Sequence, residues 1–388
     1  MPRKRKIQVI VHCEEYEKRQ QYFEQIGYIK YRLPMIGAYV LEVEEGHLDV
    51  IREMEGLLSL ELDTHITAQM NRVSGIIESR FAHERGIYGK GIGVAIVDTG
   101  IAPHKDFNYG TNRIVAFTDF INHRTEAYDD NGHGTHVAGI IGGNGYCSKG
   151  KYKGVAPECN FIGVKVLDHR GDGNISDVLA GLQWVMDNKK KYNIRIVNIS
   201  VGTSSKDSLD ENSLLVQGVN AVWDNGIVVV VAAGNNGPGP MSISTPGISR
   251  KVITVGSSDD NVAVEVFGSG RTKDYSGRGP TPFCIKKPDI VAPGSNIISC
   301  NISRYSTRNR NGEMRLSASE SPMMYTIKSG TSMATPVVSG AIALLLSAHP
   351  DLTNREVKLQ LRNSAVDLGL HWEKQGWGLL NIPKLLEI

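Results

Sequence analysis

Val94-Ala95-Ile96-Val97-Asp98-Thr99-Gly100 decides how this chain is read: four apolar residues run into a carboxylate, and a glycine closes the segment. An unbroken apolar run of strand length suits a strand covered on both faces of a parallel sheet. A side chain at its carboxyl end stands where open α/β sheets build their sites. Taken alone, Asp98 is equally a turn or helix-capping aspartate. Further near-continuous strands are expected at Phe161–Val166, Ile196–Ile199, Val228–Ala232 and Val252–Val255. Helical stretches at Ile175–Asn188, Ser213–Asn225 and Ser332–Ala348 lie among and after them, and Thr353-Asn354-Arg355-Glu356 is a capping box for a last helix. The alternation predicts an α/β domain, a parallel β-sheet sandwiched by helices, over residues 71–388.

Upstream the pattern changes. Lys6–Val11 reads as a strand, Glu15–Ile26 as a helix, and Tyr28–Leu33 and Ala38–Val43 as strands around the Pro34-Met35-Ile36-Gly37 turn. His47–Glu55 then reads as a helix and Leu57–Leu62 as a strand. The order βαββαβ predicts a small α+β ferredoxin-like domain over residues 1–70. A polar connection is expected around Asp63–Ser74, and a long surface loop over Ser299–Met324, where Arg304, Arg308, Arg310 and Arg315 stand among Ser and Asn.

Composition narrows the function classes. Apolar residues at 40% and charged ones at 22% describe a globular chain of 388 residues and not a disordered or fibrous one. Lys+Arg 43 against Asp+Glu 41 leaves +2, too balanced for nucleic acid or an anionic membrane to be a main partner. The apolar run Ile7–Val11 meets His12-Cys13-Glu14-Glu15 too soon for a signal peptide. A cytoplasmic protein is therefore expected, with non-classical export left open. Cys13, Cys147, Cys159, Cys284 and Cys300 are odd in number and lack CxxC spacing, so reduced thiols are expected in place of a zinc site or disulfide framework.

Two further segments could carry chemistry alongside Asp98. Asp129-Asp130-Asn131-Gly132-His133-Gly134-Thr135-His136-Val137-Ala138-Gly139 holds two histidines three apart, but no additional ligand at metal-site spacing. The small neighbours Gly132 and Gly134 let a substrate approach His133, as a general base requires. Ser329-Gly330-Thr331-Ser332-Met333-Ala334-Thr335-Pro336 places Ser332 at a helix start. There a serine is either a cap or a nucleophile assisted by backbone N–H groups. The G-x-S-x-G elbow fails at Ala334. Val230-Val231-Ala232-Ala233-Gly234-Asn235 puts an amide at a strand's carboxyl end, where it could donate to a developing oxyanion.

Together the blocks Ile96–Gly100, Gly132–Gly139 and Gly330–Pro336, in the order Asp, His, Ser, resemble the subtilase family of serine peptidases over roughly residues 75–385. The pattern is most similar to AprX-type bacterial subtilases. The resemblance implies an endopeptidase acting through an acyl-enzyme: Asp98 orients His133, His133 serves as base and then acid, Ser332 is the nucleophile, and Asn235 lies in the oxyanion hole. It implies that Asn198-Ile199-Ser200-Val201-Gly202 pairs with the substrate backbone, with Ala232-Ala233-Gly234 walling the primary pocket. The expected partners are a peptide or protein substrate and the chain's own N-terminal unit, which looks like the family's inhibitory, self-cleaved propeptide with its tail within Asp63–Ser74. No organic cofactor is implied. Asp106 resembles a carboxylate of the family's calcium site, but the loop Asn144–Lys153 beside it is basic, so calcium is possible and not assigned. Two alternatives remain: a regulatory scaffold whose propeptide stays in the groove, and an esterase or amidase using the same nucleophile.

Overall fold

A computed structural model describes residues 6–34, 37–62, 69–202, 212–263, 272–302 and 324–387. The chain divides into two compact units, Met1–Thr67 and Ala68–Ile388. The first contains β1 (Lys6–Cys13), α1 (Gln20–Ile26), β2 (Gly27–Leu33), β3 (Ala38–Glu44), α2 (Leu48–Arg52) and β4 (Leu57–Leu62). Its four strands lie in the order β2-β3-β1-β4, every neighbouring pair antiparallel. This is the split βαββαβ arrangement. Val9, Val11, Phe23, Tyr39, Leu41 and Ile51 form its core, and the Tyr39 hydroxyl donates to the Tyr16 carbonyl at 2.9 Å.

The first helix is shorter than the sequence pattern suggests. Glu15 has φ 53, a left-handed conformation that no α-helix continues through, so a single 3₁₀ turn at Tyr16–Lys18 comes before α1. Met35 and Ile36 of the expected turn lie outside the described residues.

The second unit opens with α3 (Gln69–Ile76) and α4 (Arg80–Glu84), so the expected polar connection Asp63–Ser74 is helical from Gln69 onward. Residues 63–68 lie outside the described residues. There follow β5 (Gly93–Asp98), α5 (Lys105–Asn108), β6 (Ile114–Asp119), α6 (His133–Gly142), β7 (Asn160–Lys165), α7 (Ile175–Asn188), β8 (Ile194–Ile199), α8 (Leu214–Asp224), β9 (Val228–Ala232) and β10 (Ile253–Ser257). After two short strands, β11 (Asn261–Ala263) and β12 (Thr272–Asp274), come β13 (Ile290–Ala292), β14 (Ile297–Cys300), β15 (Tyr325–Lys328), α9 (Thr331–Ala348) and α10 (Asn354–Ser364). The loop expected over Ser299–Met324 is strand at its start, where β14 runs through Cys300, and residues 303–323 lie outside the described residues.

Seven parallel strands form one sheet in the order β13-β10-β9-β8-β5-β7-β6. β13 escapes the sequence reading because three residues make no apolar run, whereas β6 carries the apolar run Ile114–Phe117 and is absent from the expected strands. β6 is an edge strand with Val115 exposed, and β13 is three residues long. β7 and β8 flank β5 on opposite sides, so the crossover through α7 passes over β5 and makes a switch point at the Asp98 end. α9 has the length and composition of a membrane span, but it is mostly buried against β8, β9, β10 and α6. Ser339 on α9 donates to the Asn198 side chain on β8 at 2.8 Å. The capping box of α10 forms as expected, with the Glu356 carboxylate receiving the Thr353 N–H at 2.8 Å.

Candidate active site

Three carboxyl ends of the sheet converge with two helix starts. Asp98 ends β5 and is fully buried; its Oδ1 receives the Thr99 N–H at 2.7 Å. His133 is the first residue of α6, and its Nδ1 lies 2.8 Å and 2.9 Å from the two Asp98 oxygens. An ionised carboxylate only accepts, so Nδ1 carries the hydrogen and Nε2 keeps its lone pair. Burial disfavours the imidazolium, but the charge and hydrogen bond of Asp98 outweigh it, and the His133 pKa is raised above the ordinary value.

The start of α6 is held from below by Asp129. Its Oδ1 accepts from Thr99 Oγ1 at 3.0 Å and from the N–H groups of Asn131 and Gly132 at 3.0 and 2.8 Å. Its Oδ2 accepts from Thr135 N and Oγ1 at 2.9 and 2.7 Å. A carboxylate at a helix N-terminus also meets the positive end of the helix dipole. Lys165, wholly buried and in register with Asp98, donates to the Thr99 and Leu167 carbonyls and to Asp130 Oδ1. Sequence reasoning assigned no role to Asp129, Asp130 or Lys165. The available signals were two acidic residues just before a histidine block and a lysine ending an apolar strand.

Gly134 sets how closely α6 approaches β5. A Cβ there would stand 2.1 Å from the Gly100 carbonyl and 3.2 Å from the Asp98 side chain. Gly134→Ala is expected to push the helix outward and lower kcat on a chromogenic peptide by about 10²-fold while circular dichroism stays native. An unchanged kcat would show that this contact does not position His133.

Ser332 is in the first turn of α9, after Gly330 at φ 144. Its hydroxyl donates to the Ser200 carbonyl at 2.8 Å, at the end of β8. Asn235 follows β9, and its Oδ1 accepts from Thr331 N at 2.9 Å and Thr331 Oγ1 at 3.0 Å. That anchor fixes the amide so that Nδ2 is its remaining donor. Gly234, at φ 90, lies so close to Ser244 that an added Cβ would come 2.0 Å from its Oγ. The Gly234 N–H donates to Thr331 Oγ1 at 3.1 Å. Val201 and Gly202 lie on a cavity of about 200 Å³ whose apolar wall includes Leu167, Val178, Ile199, Leu215 and Pro246. A roomier cleft of about 600 Å³ at the β6 edge contains none of the candidate residues.

The two histidines of the motif do not form a metal pair. His136 is fully buried with Nε2 facing the Ile297 and Thr326 carbonyls at 3.1 and 3.2 Å, and burial pushes its pKa down to about 3. The ring is neutral and structural.

Residues 89–378 match the family model described as "Subtilase family". The chain is 39% identical over 342 residues to the serine protease AprX of Bacillus subtilis, covering 86% of this chain and 75% of that one. It is 33% identical to the thermostable alkaline protease of Halalkalibacterium halodurans, covering 87% and 79%. It is also 33% identical to subtilisin Savinase of Lederbergia lenta, covering 79% and 94%. Among solved structures it is similar to a cold adapted subtilisin-like serine proteinase, with a TM-score of 0.56 and 29% identity over 76% of this chain and 90% of the other.

Proposed function

This chain belongs to the subtilase family, and from that premise we propose how its residues divide the work of peptide hydrolysis. It is a subtilisin-like serine peptidase, a hydrolase of peptide or protein substrates, with the parallel-sheet fold of that family.

In the proposed mechanism Ser332 Oγ attacks the scissile carbonyl while its proton passes to His133 Nε2. The resting hydroxyl donates to the Ser200 carbonyl, so it must give up that acceptor for His133 before attack. Asp98 holds the Nδ1–H tautomer and stabilises the imidazolium as it forms. Asn235 Nδ2 and the Ser332 N–H receive the oxyanion. His133 then protonates the leaving amine, and the resulting acyl ester is hydrolysed by water that the same imidazole deprotonates. Ser200, Val201 and Gly202 would align an extended peptide, with Ala232, Ala233 and Gly234 along the primary pocket. The observation that carries this reading is the two-oxygen grip of Asp98 on His133 Nδ1, which leaves Nε2 as a base.

The βαββαβ unit we read as the inhibitory propeptide of a self-processing zymogen, with its tail within Asp63–Ser74. Its place before the peptidase unit and its independent core support that reading. Intact mass spectrometry of purified protein after incubation tests it. The wild type is expected to lose a fragment of about the size of residues 1–70, and Ser332→Ala to stay whole. If neither is cut, the scaffold with a retained propeptide becomes the better account.

A further inference from the structure

Behind α6, α5 and the paired strands β14 and β15 gather a second group of reactive side chains. His104, Asp106 and Cys300 are all buried, and one donor atom of each lies within 4.8 Å of the others. His104 Nδ1 is 3.7 Å from Asp106 Oδ1, and Cys300 Sγ is 3.7 Å from Asp106 Oδ2. The Tyr325 hydroxyl donates to Oδ2 at 2.7 Å. Cys147 donates its amide to Oδ1 at 2.9 Å.

The charge balance of this cluster is incomplete. Asp106 has no exposed surface, and a buried carboxylate is costly unless a cation pairs with it. Among the described residues, no lysine or arginine forms an ion pair with its carboxylate. Arg113 directs its guanidinium to the main-chain carbonyls of Asp106 and Cys159. His104 supplies no charge either. Its Nδ1 accepts the Asp106 N–H at 3.1 Å, which takes a lone pair, and its Nε2–H is left for the Met324 carbonyl at 2.9 Å.

We propose that this cluster is a zinc site, with His104 Nδ1, the Asp106 carboxylate and Cys300 Sγ as ligands and a water molecule completing the tetrahedron. Imidazole, carboxylate and thiolate are the donors that zinc takes in tetrahedral sites. With bonds of about 2.0–2.3 Å, neighbouring ligand atoms on such an ion are roughly 3.3–3.6 Å apart. The two 3.7 Å spacings run to different oxygens of Asp106, Oδ1 and Oδ2, so an ion held between His104 and Cys300 meets the carboxylate through both oxygens, with the three donors already within 4.8 Å of one another. The Nε2–H bond to the Met324 carbonyl is the outer hydrogen bond that orients metal-bound imidazoles. Calcium fits poorly, because it requires six or more oxygens and the cluster offers one carboxylate among sulfur and nitrogen. On binding, the Cys300 thiol releases its proton to solvent, and the Asp106 N–H gives up Nδ1 as its acceptor. The ion would tie together α5 and β14. Cys300 faces Gly139 on α6, the helix that carries His133, and Asp106 faces Gly143 just past its end.

The test uses the full chain carrying Ser332→Ala, reduced and freed of metal by chelation, then titrated with cobalt(II). The expected result is a thiolate-to-cobalt charge-transfer band with tetrahedral d–d absorption, saturating at one ion per chain. One equivalent of zinc should bleach it and raise Tm. Cys300→Ser and His104→Gln should each abolish the band and weaken zinc binding by more than about 100-fold, whereas Cys13→Ser and Cys284→Ser leave it intact. If Cys300→Ser does not fold, His104→Gln carries the same readout. Absence of the band, or its survival in either ligand variant, overturns the site. So does a Cys147–Cys300 disulfide in protein isolated in air that yields no band after reduction, which would make the pair a redox site instead.

Discussion

Ser332→Ala is expected to lower kcat on a peptide substrate by about 10⁶-fold, with Tm and near-ultraviolet circular dichroism unchanged. The magnitude is the one measured for nucleophile removal in subtilisin, a relative of this chain, and it is borrowed from there. The reason for a loss of this size lies in the arrangement. Asp98, His133 and Ser332 act as a unit, so without an oxygen at residue 332 the His133 base has no proton to take. What remains is rate enhancement from Asn235 and substrate alignment, about 10³–10⁴ over water. Ser332 is small and in the first turn of α9, and alanine is a good helix former, so the fold should not suffer. Burst and steady-state assays with an activated peptide ester would check it. Retention of more than about one part in 10³ of the wild-type kcat would place the nucleophile elsewhere.

Asp98→Asn is expected to cost about 10⁴ in kcat at neutral pH, the loss seen when the equivalent aspartate of a serine-protease triad becomes an amide. The asparagine amide can donate to Nδ1, which stabilises the tautomer carrying its hydrogen on Nε2 and removes the base. The pH profile gives an independent reading. In the wild type the competent base is neutral His133, so activity rises with pH through a His133 pKa that lies above the ordinary imidazole value. Burial opposes that raised value, and Asp98 sustains it by charge and hydrogen bond; nearby Lys328 lowers it and Asp129 raises it. Without the Asp98 charge, burial and Lys328 dominate, so the acid limb of kcat/KM should move to lower pH. An acid limb that stays in place would mean that Asp98 does not set the His133 charge.

Much of this architecture was legible in the linear pattern. β5, β8, β9 and α7 stand close to where apolar periodicity put them, because a strand covered on both faces must be apolar throughout. β13 was missed because three residues carry no period; β6 was missed although Ile114–Phe117 is an unbroken apolar run, and as an edge strand it stays mostly half-buried. In the first unit, Glu15 looks helical by composition, yet its positive φ ends the pattern.

The site divides in the same way. Asp98, His133, Ser332 and Asn235 stood out because each follows an apolar strand or opens a small-residue helix, and that local setting is written in neighbouring residues. Asp129 and Lys165 did not stand out, since their work is done through partners such as Thr99 and Thr135 that reach them only in the folded chain. The sequence alone therefore determined five of the seven strands of the sheet, the family and the order of the reactive groups, all of which depend on short-range patterning. Tertiary structure alone decided that the Ser332 hydroxyl rests on Ser200 and that Asn235 is anchored by Thr331. It also brought Cys300 to Asp106 across 194 positions, because contacts made between distant strand ends leave no periodicity in the chain.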